Sequence, residues 1–544
     1  MREKIASRAP RAPAFAARAL AVLLGAGVLS CNLSVPDIRP PPFGPDVNKP
    51  APAQLFFPTG LAAVAPSPAA PAGLLLVVNG NFDRSFNGGT VVSLDLSKFH
   101  DPKNTNPLTN SLFQFYPSSG PVPGNIDIPR IPADPRGETW FAGAAMIGTF
   151  GGPLAFNPAA GNTGGRAYTA SRDTNLLNGV QVAANGALSC IGGAPGAIDC
   201  RGGVFDTYNA SCPPGLCAGG DTLLQLEGPY GLAIGTAQLP GSTAPPRNEL
   251  FVMSLIPHID TIINSTLFTR AQFAALNLDD QPAPAAPGPT LFYGANASDE
   301  ATTPGGVGVG AGPVLFDAAR RRLIVGGCYL RFGASNGSTP SSGKCGFNNG
   351  QVGSTNLLRF ISVDEGSNPD VQYIDLTVLI QSAETTGLAL GGKDANGIPQ
   401  KLYATMRNPD LLVEMDLSSD PGSYVSVSRA TALPVAPAGL VVIERPAALG
   451  GDLIAVVGET SGSVSIYDTT AGQVVANLEN LGMLPFSVVQ LPPQPADTAA
   501  GSDPADPRAH LAVTMFYNCR IALLDVPLAR PWKAALRATV GSCQ

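Results

Sequence analysis

Residue types that perform acid–base or metal chemistry are scarce in this chain, which has three histidines in 544 residues. His100 lies in the polar segment KFHDPKN and His510 begins a predicted strand, so we expect both at the surface. His258 lies in a predicted hairpin turn, two residues before Asp260. It is the one histidine to consider as a ligand, although a lone His–Asp neighbour pair is typical of structural or solvated positions. The chain has no HExxH zinc motif and no CxxCH haem-attachment motif. No catalytic residue, cofactor or metal is predicted.

Nine cysteines indicate export into an oxidising compartment. Cys31 ends an apolar N-terminal run, and the other eight are an even number, which predicts four disulfides in an exported chain. Many pairings are compatible with eight cysteines, and the simplest one joins sequence neighbours. These pairs are Cys190–Cys200, Cys212–Cys217, Cys328–Cys345 and Cys519–Cys543. The alternative is a metal site made by the first four, but they lack the CxxC spacing of zinc ribbons.

A repeated pattern of short strands must position any functional residue. Apolar, β-rich runs are joined in pairs by polar turns, as in DLIAVVGETSGSVSIYDT, which indicates hairpins. Another short strand, often opened by Pro or Gly, precedes each hairpin, and a weaker fourth strand such as QVVANLE follows. In the second half of the chain, Asp364, Asp416 and Asp468 close successive hairpins 52 residues apart. We expect these recurrent aspartates to cap turns.

Four-stranded units at a period of roughly 40 to 50 residues are typical of a β-propeller. The chain is therefore predicted to be all-β, with a single propeller over residues 55–544 and loop insertions at Ser265–Gly306 and Ser335–Gly353. A short helix is expected within Asn264–Asp280. Counting first strands predicts seven four-stranded blades, with six and eight as alternatives. The first strands begin at Pro58, Gly152, Pro229, Gly312, Thr386, Pro437 and Pro485.

The segments LLLVVNGNFD…GGTVVSLDL and LIAVVGETSGSVSIYDTTAGQVVA resemble the YVTN-type repeats of YncE-like β-propellers. The second half of that repeat is kept in Thr90–Leu96 and Ser463–Asp468, and its tyrosine-valine core only loosely. The resemblance covers most of Leu55–Gln544 as a pattern and is strong in about three units. It implies the fold far more than an activity, because such propellers perform very different functions.

The resemblance also implies where a ligand would bind. In a propeller, the turn between the second and third strands lies on the same face as the connection into the next blade, around the channel mouth. The residues predicted at this rim are Asp83, Arg84, Arg172, Asp173, His258, Arg407, Asn408, Glu459, Tyr517 and Asn518, with the segment between Cys328 and Cys345. Several are long polar or aromatic side chains where a plain turn needs only Gly, Asn or Asp. We expect ligand binding by members of this set, with Arg172, Arg407 and Tyr517 first.

The N-terminal 54 residues predict the cellular location of the protein. A basic start and the apolar run Ala19–Ser30, too short to cross a hydrocarbon core of roughly 30 Å, indicate a signal peptide over residues 1–30. Val28-Leu29-Ser30-Cys31 resembles the lipobox of bacterial lipoproteins, which implies an acylated Cys31. The alternative is an ordinary cleavage site with an incidental cysteine. Residues 31–54 form a Pro-rich tether. Asn32, where inner-membrane lipoproteins often have Asp, favours the outer membrane of a bacterial cell envelope.

Charge and motifs together favour one function class. A net charge of −7 without a basic stripe gives no support for nucleic-acid binding. The predicted function is that of a lipid-anchored, non-catalytic binding module at the cell envelope, whose partner is an envelope protein, a glycan or a small ligand. The alternative is a lactonase-like hydrolase or lyase with its site at the propeller channel, since propeller lactonases hold a metal there with carboxylates, Asn and His.

Overall fold

The computed structural model describes most of the predicted propeller region. The described residues are 39–40, 43, 55–83, 85–99, 130–131, 140–207, 228–237, 247–254, 258–263, 266–270, 272–278, 289–294, 306–307, 311–331, 353–363, 371–380, 384–417, 425–494 and 507–541. They all belong to the unit Arg39–Gln544. Of the predicted tether, Arg39, Pro40 and Phe43 are described, and Pro40 is buried.

Strands follow the apolar, β-branched runs, and turns follow the Gly, Asn and Asp clusters between them. The first part of the chain contributes β1 (Pro58–Val64), β2 (Leu74–Asn79), β3 (Gly89–Asp95), β4 (Arg130–Ile131), β5 (Phe141–Ile147), β6 (Gly151–Pro158), β7 (Gly164–Ser171), β8 (Leu176–Ala183), β9 (Leu188–Cys190) and β10 (Phe205–Asp206). The middle contributes β11 (Pro229–Ala237), β12 (Arg247–Ser254), β13 (His258–Ile263), β14 (Thr266–Arg270), β15 (Gln272–Asn277), β16 (Pro289–Gly294), β17 (Gly306–Val307), β18 (Ala311–Asp317), β19 (Arg322–Arg331), β20 (Gly353–Ser362), β21 (Val371–Asp375) and the short helix α1 (Leu376–Ile380).

The last part has the most regular strands. They are β22 (Glu384–Lys393), β23 (Pro399–Arg407), β24 (Leu411–Asp416), β25 (Ser426–Ala432), β26 (Pro437–Ile443), β27 (Leu453–Gly458), β28 (Ser463–Asp468), β29 (Gln473–Leu478), β30 (Pro485–Gln490), β31 (Arg508–Met515), β32 (Arg520–Pro527) and β33 (Ala535–Val540). Each hairpin here pairs in antiparallel register, for example Leu453 with Asp468 and Gly458 with Ser463.

The described strands form seven sheets of four or five strands, together with the separate hairpin β13–β14. The strand orders are β1-β2-β3-β5, β10-β8-β7-β6 with β9 on β8, β11-β12-β15-β16, β17-β19-β20-β21 with β18 on β19, β22-β23-β24-β25, β26-β27-β28-β29 and β30-β31-β32-β33-β4. The strands β1, β6, β11, β18, β22, β26 and β30 each contact the next in turn, and β30 contacts β1. The seven sheets therefore close into a ring, which confirms the predicted all-β propeller and all seven of its first strands.

The core lies between neighbouring sheets. Strands β2, β27 and β28 are buried along their whole lengths, because each sheet is covered on both faces by its neighbours. One apolar cluster joins the first sheet to the last, through Val92 and Leu523 among others. Another joins the first sheet to the second, through Val91 and Val180. A ring of this kind has no single hydrophobic core, so its stability is distributed over the apolar contacts between neighbouring sheets.

The first strands of the seven sheets, which contact one another around the ring, are called the inner strands. A Gly-Leu pair recurs in four of them because these strands pack closely against their neighbours. A Cβ atom on Gly60, Gly231, Gly387 or Gly439 would lie 2.6, 2.9, 2.7 or 3.0 Å from a backbone oxygen of the next inner strand. Such distances leave no room for a side chain, so glycine is required at this position. The repeat seen in the sequence is therefore a packing repeat.

Three strands, β14, β15 and β16, lie within Ser265–Gly306, which was predicted to be a loop insertion. The prediction that Asn264–Asp280 contains a helix is wrong, since β14 and β15 occupy this segment. Within Ser265–Gly306, β15 and β16 complete the third sheet, and Leu250 of β12 pairs with Leu276 of β15. The helix was expected because Phe268, Phe273 and Leu276 have the spacing of one helix face. The open edge of β12 needs a hydrogen-bonding partner, and that requirement overrides this helical spacing. The Ser335–Gly353 insertion lies outside the described residues, except for Gly353, which begins β20.

The connection between β3 and β5 links the two ends of the ring. Its strand β4 pairs in parallel with β33, at the outer edge of the last sheet, and Arg130 lies opposite Thr539. The first and last sheets are therefore joined both at their inner strands and at this outer edge. None of the described residues forms a helix with the length and apolarity needed to span a membrane.

Candidate ligand site at the channel mouth

One face of the ring collects the turns between second and third strands and the connections that enter the next sheet. We call it the mouth face. Backbone hydrogen bonds join these segments: Phe150 donates to Gly80 at 2.7 Å, Glu459 to Ala436 at 2.8 Å, and Phe516 to Leu484 at 3.1 Å. The rim geometry that the resemblance implies is therefore present in at least three places around the ring.

A cavity of about 630 Å³ opens at the mouth face. The beginnings of the inner strands and the mouth-face turns line it. Its charged and aromatic lining residues are Phe82, Arg172, Tyr230, Glu384, Arg407, Glu459, Phe486 and Phe516. The cavity thus brings together Arg172, Arg407 and Glu459 from the predicted rim set, and it adds Tyr230 and Glu384, which the sequence analysis did not single out.

Arg172 follows directly after β7 and lies between two aromatic rings. Its guanidinium carbon is 5.7 Å from the ring centre of Phe82 and 5.3 Å from that of Tyr230. These distances suit cation–π attraction. The Nε atom of Arg172 is buried and has no hydrogen-bond partner in the described structure. Arg172 is therefore oriented by aromatic rings and retains an unused donor.

Arg407, at the end of β23, is instead neutralised. Its guanidinium forms an ion pair with the carboxylate of Glu459, and its Nε donates to the carbonyl of Pro437 at 3.0 Å. The two side chains are each one quarter exposed. Arg407 and Glu459 stand 52 positions apart, one repeat of the sequence, so neighbouring sheets supply the two partners.

Glu384, the first residue of β22, lies opposite Arg407 in the strand register. Burial raises the pKa of the Glu384 carboxyl; the nearby Arg407 lowers it and the carboxylate of Glu459 raises it. Burial likewise raises the pKa of the Tyr230 hydroxyl. A charged residue at the start of an inner strand, where most other inner strands have Pro or Gly, was the available sequence signal for Glu384.

Five aromatic side chains form a continuous group beside Arg172, which we call the aromatic wall: Phe57, Phe82, Phe150, Phe516 and Tyr517. Ring centres are 5.0 Å apart for Phe82–Phe150, 4.9 Å for Phe82–Phe516, 5.2 Å for Phe57–Phe516 and 5.1 Å for Phe516–Tyr517. The rings come from the connections and turns of three sheets, the first, the second and the last. The cavity therefore has an aromatic side and a charged side.

The described residues among the rest of the predicted rim set lie outside the cavity lining. Tyr517 is half-exposed at the rim, and the side-chain oxygen of Asn518 accepts a hydrogen bond from the backbone of Met483. Asp173 is exposed, Asp83 caps its own turn by accepting from the Ser85 amide, and Asn408 occupies a left-handed turn position. His258 begins β13 in the separate hairpin. Arg84, His100 and the segment between β19 and β20 lie outside the described residues.

The expectation that His510 is exposed is wrong. It is buried, and its Nδ1 lies 3.7 Å from a carboxylate oxygen of Asp525. The same carboxylate binds the guanidinium groups of Arg508 and Arg537. Asp525 is thus the centre of a buried charge cluster, whereas Asp468 caps a turn as predicted, by accepting from the amide of Thr470. His510 lies in β31, which pairs with β30 on one side and β32 on the other. Its position near the start of a strand did not reveal this burial.

The predicted disulfide Cys190–Cys200 is confirmed. Cys519 is also disulfide-bonded, and its predicted partner Cys543 lies outside the described residues. Cys212, Cys217 and Cys345 lie there too, and of Cys328 only the backbone is described. Within the described part of the chain, no three His, Cys, Asp or Glu side chains are grouped so that they could hold a metal ion.

No family model and no curated protein matches this chain. Solved structures of similar shape include the hydrazine synthase of Kuenenia stuttgartiensis, with a TM-score of 0.42, 8% identity and coverage of 88% of this chain and 98% of that one. The Cps50 β-propeller domain of Myceliophteria thermophila has a TM-score of 0.41 and 10% identity, covering 87% and 96%. The periplasmic gluconolactonase PpgL of Pseudomonas aeruginosa has a TM-score of 0.41 and 12% identity, covering 79% and 86%. At these values the likenesses carry no functional information.

Proposed function

We propose that this protein is an exported, lipid-anchored β-propeller of the bacterial cell envelope that binds a small anionic ligand at its channel mouth without converting it. The observation that carries the proposal is Arg172, which lines the cavity with a buried Nε that has no partner among the described residues. A buried donor without a partner is unfavourable by about 1–3 kcal/mol. An oxygen of a carboxylate or phosphate would remove this cost and add a charge-assisted hydrogen bond.

The charges in the cavity favour an anion at Arg172 and at no other position. Arg407 is already paired with Glu459. Glu384 lies opposite Arg407 in the strand register, so this carboxyl group belongs to the same charged side as the Arg407–Glu459 pair. Arg172 is then the one cation of the described lining without an ion-pair partner. A volume of about 630 Å³ lies within the range of small-molecule sites, roughly 300–1,000 Å³.

The anchor part of the proposal rests on the N-terminal sequence. A basic start, a short apolar run and Val28–Cys31 together match the pattern of an acylated signal peptide, and Asn32 favours the outer membrane. The Cys190–Cys200 disulfide suits an oxidising compartment outside the cytoplasm. Residues 31–54 would connect the lipid to the propeller.

Calorimetric titration of the purified mature protein with matched pairs of small molecules tests the binding function. The pairs are benzoate with benzamide, glucuronate with glucose, and octanoate with octanamide. We expect the anion of at least one pair to bind at least tenfold more tightly than its neutral partner, and Arg172→Gln to remove this preference. Lys393→Gln is the matched control, because Lys393 is an exposed cation paired with Glu444 on the opposite face. Binding of neutral and anionic partners with equal affinity would refute the proposal.

A second candidate, a lactonase-like hydrolase, is favoured by Glu384. A partly buried carboxyl group with a raised pKa in a cavity is typical of general acid–base catalysts. The sequence also contains Gly333-Ala334-Ser335-Asn336-Gly337, which matches the spacing of a GxSxG nucleophile elbow and lies outside the described residues. Hydrolysis of glucono-δ-lactone by the wild type, faster than the uncatalysed rate and lost in Glu384→Gln or Ser335→Ala, would establish this candidate instead.

A further inference from the structure

We propose that the anionic ligand is an amphiphile, with its head group at Arg172 and its hydrocarbon tail along the aromatic wall. This inference rests on the proposed binding function and adds the chemical class of the ligand. It follows from the direction in which the apolar surface runs from Arg172, out of the cavity to the exposed rim.

The aromatic wall begins at Arg172. Phe82 contacts the guanidinium group, and Phe516 lies next to Phe82 with ring centres 4.9 Å apart. Both phenylalanines line the cavity. From Phe516 the wall continues to Phe57, at 5.2 Å, and to Tyr517, at 5.1 Å. Each step leads from the cation toward the edge of the mouth face.

The wall ends in exposed apolar side chains. Tyr517 is 52% exposed, and Met483, whose amide is held by Asn518, is 62% exposed. Large apolar side chains exposed this far are typical of sites that bind apolar partners when they lie together. Here they adjoin a cavity lined by Arg172, which has no ion-pair partner in the part of the chain that the structure describes.

A polar anion would use only one end of this surface. The charged side of the cavity, with Glu384 and the Arg407–Glu459 pair, is unsuited to a hydrocarbon chain, so the tail is expected on the aromatic side. Burying one methylene group contributes about 0.8 kcal/mol, or roughly a fourfold gain in affinity. Affinity should therefore rise with chain length in a series of carboxylates, until the chain passes Tyr517.

The two tryptophans of the protein provide a natural reference for locating the tail. Trp140 is buried in the core, and Trp532 is 60% exposed in the connection between β32 and β33. That connection lies on the face opposite the mouth face, because β32 runs away from the turn that contains Tyr517. Tyr517→Trp and Met483→Trp, both substitutions at exposed positions, place a new tryptophan on the mouth face.

The test combines a chain-length series with bromine quenching on the mature protein. Butyrate, octanoate and laurate are titrated below their micellar concentrations, and 9,10-dibromostearate is compared with stearate as a quencher. We expect a rise in affinity of at least tenfold from butyrate to laurate, lost in Arg172→Gln and kept in Lys393→Gln. Dibromostearate should quench Tyr517→Trp and Met483→Trp and leave the emission of the wild type, which comes from Trp140 and Trp532, unchanged.

Three results would overturn the inference. If benzoate or glucuronate binds as tightly as laurate and needs Arg172, the proposed binding function stands and the amphiphile is wrong. If laurate binds but dibromostearate quenches Trp532 as strongly as Tyr517→Trp, the tail does not follow the aromatic wall. If none of these anions binds in a way that depends on Arg172, the proposed function itself fails together with the inference.

Discussion

Charged side chains are treated in two ways in this molecule, and the contrast separates structural from functional positions. Asp525 is buried with Arg508 and Arg537, so its charge is compensated inside the last sheet. Among the described residues, Arg172 is contacted by two aromatic rings, and its Nε has no hydrogen-bond partner there. The sequence places both on strand ends or turns and does not distinguish them, because the distinction depends on neighbours that are distant along the chain.

Removing the centre of the buried cluster is expected to be costly. Asp525→Ala leaves two guanidinium groups buried without their shared carboxylate, which should lower the free energy of unfolding by about 3–5 kcal/mol. The exposed pair Lys393–Glu444 is the comparison, since Glu444→Ala should change it by at most about 1 kcal/mol. Urea unfolding at pH 7 measures both. Equal losses in the two variants would contradict a structural role for the cluster.

Glu384 predicts a pH dependence of stability. Burial raises its pKa in the folded state, so between the unfolded and the folded pKa the unfolded chain has already released a proton that the folded protein keeps. Stability contributed by this group therefore falls as pH rises above about 4.5 and stays reduced above the folded pKa. Glu384→Gln should accordingly raise the melting temperature relative to wild type more at pH 7 than at pH 4. A constant difference between the two pH values would contradict the raised pKa.

At the scale of elements, the repeat in the sequence marks where inner strands approach each other. All seven first strands were predicted, because each carries its own local pattern of Pro or Gly followed by apolar residues. Strands β14 to β16 were missed because Phe268, Phe273 and Leu276 have the spacing of one helix face. The pairing of β15 with β12, across the intervening β13–β14 hairpin, is not visible in the local sequence. The site was also predicted in part. Arg172, Arg407 and Glu459 lie at turn positions, which the sequence marks. Tyr230 and Glu384 lie at the beginnings of inner strands, where no turn signal marks them.

The recurrent glycine predicts a sharp response to one methyl group. In Gly387→Ala, the new Cβ would lie 2.7 Å from the carbonyl oxygen of Ala438 and 2.5 Å from a methyl carbon of Leu440. We expect a loss of about 1–3 kcal/mol in the free energy of unfolding, as for overpacked sites. Gly202→Ala is the matched control, since no atom lies within 4 Å of its Cβ position. Similar unfolding midpoints for the two variants would show that the close approach is not required.

At the scale of the whole molecule, the ring is joined at two places and presents its cavity on one face. The inner strands β1 and β30 contact each other, and β4 adds a parallel strand to the last sheet. The parallel pairing of β4 could not be predicted, because two residues of a long connection carry no strand pattern of their own. The N-terminal chain enters the ring at Pro58, where β1 begins, on the mouth face.

The anchor predicts where the protein is found in the cell. Cys31→Ser removes the thiol that would be acylated, so the variant should lose labelling by a radioactive fatty acid and move to the soluble fraction. Ser34→Ala, three residues further along, leaves the acylated position unchanged and should remain with the membranes. Fractionation with both variants measures this directly. A Cys31→Ser protein that stays fully membrane-associated would exclude the lipid anchor.

The central claim is that a ligand anion binds the guanidinium group of Arg172, and a crystal structure of the mature protein with its tightest-binding carboxylate tests it most directly. The predicted result is electron density for the ligand in the cavity, with a carboxylate oxygen about 2.7–3.2 Å from a guanidinium nitrogen of Arg172 and an apolar portion against Phe82. A ligand bound elsewhere on the ring, or in the cavity but contacting only the Arg407–Glu459 pair, would contradict the claim.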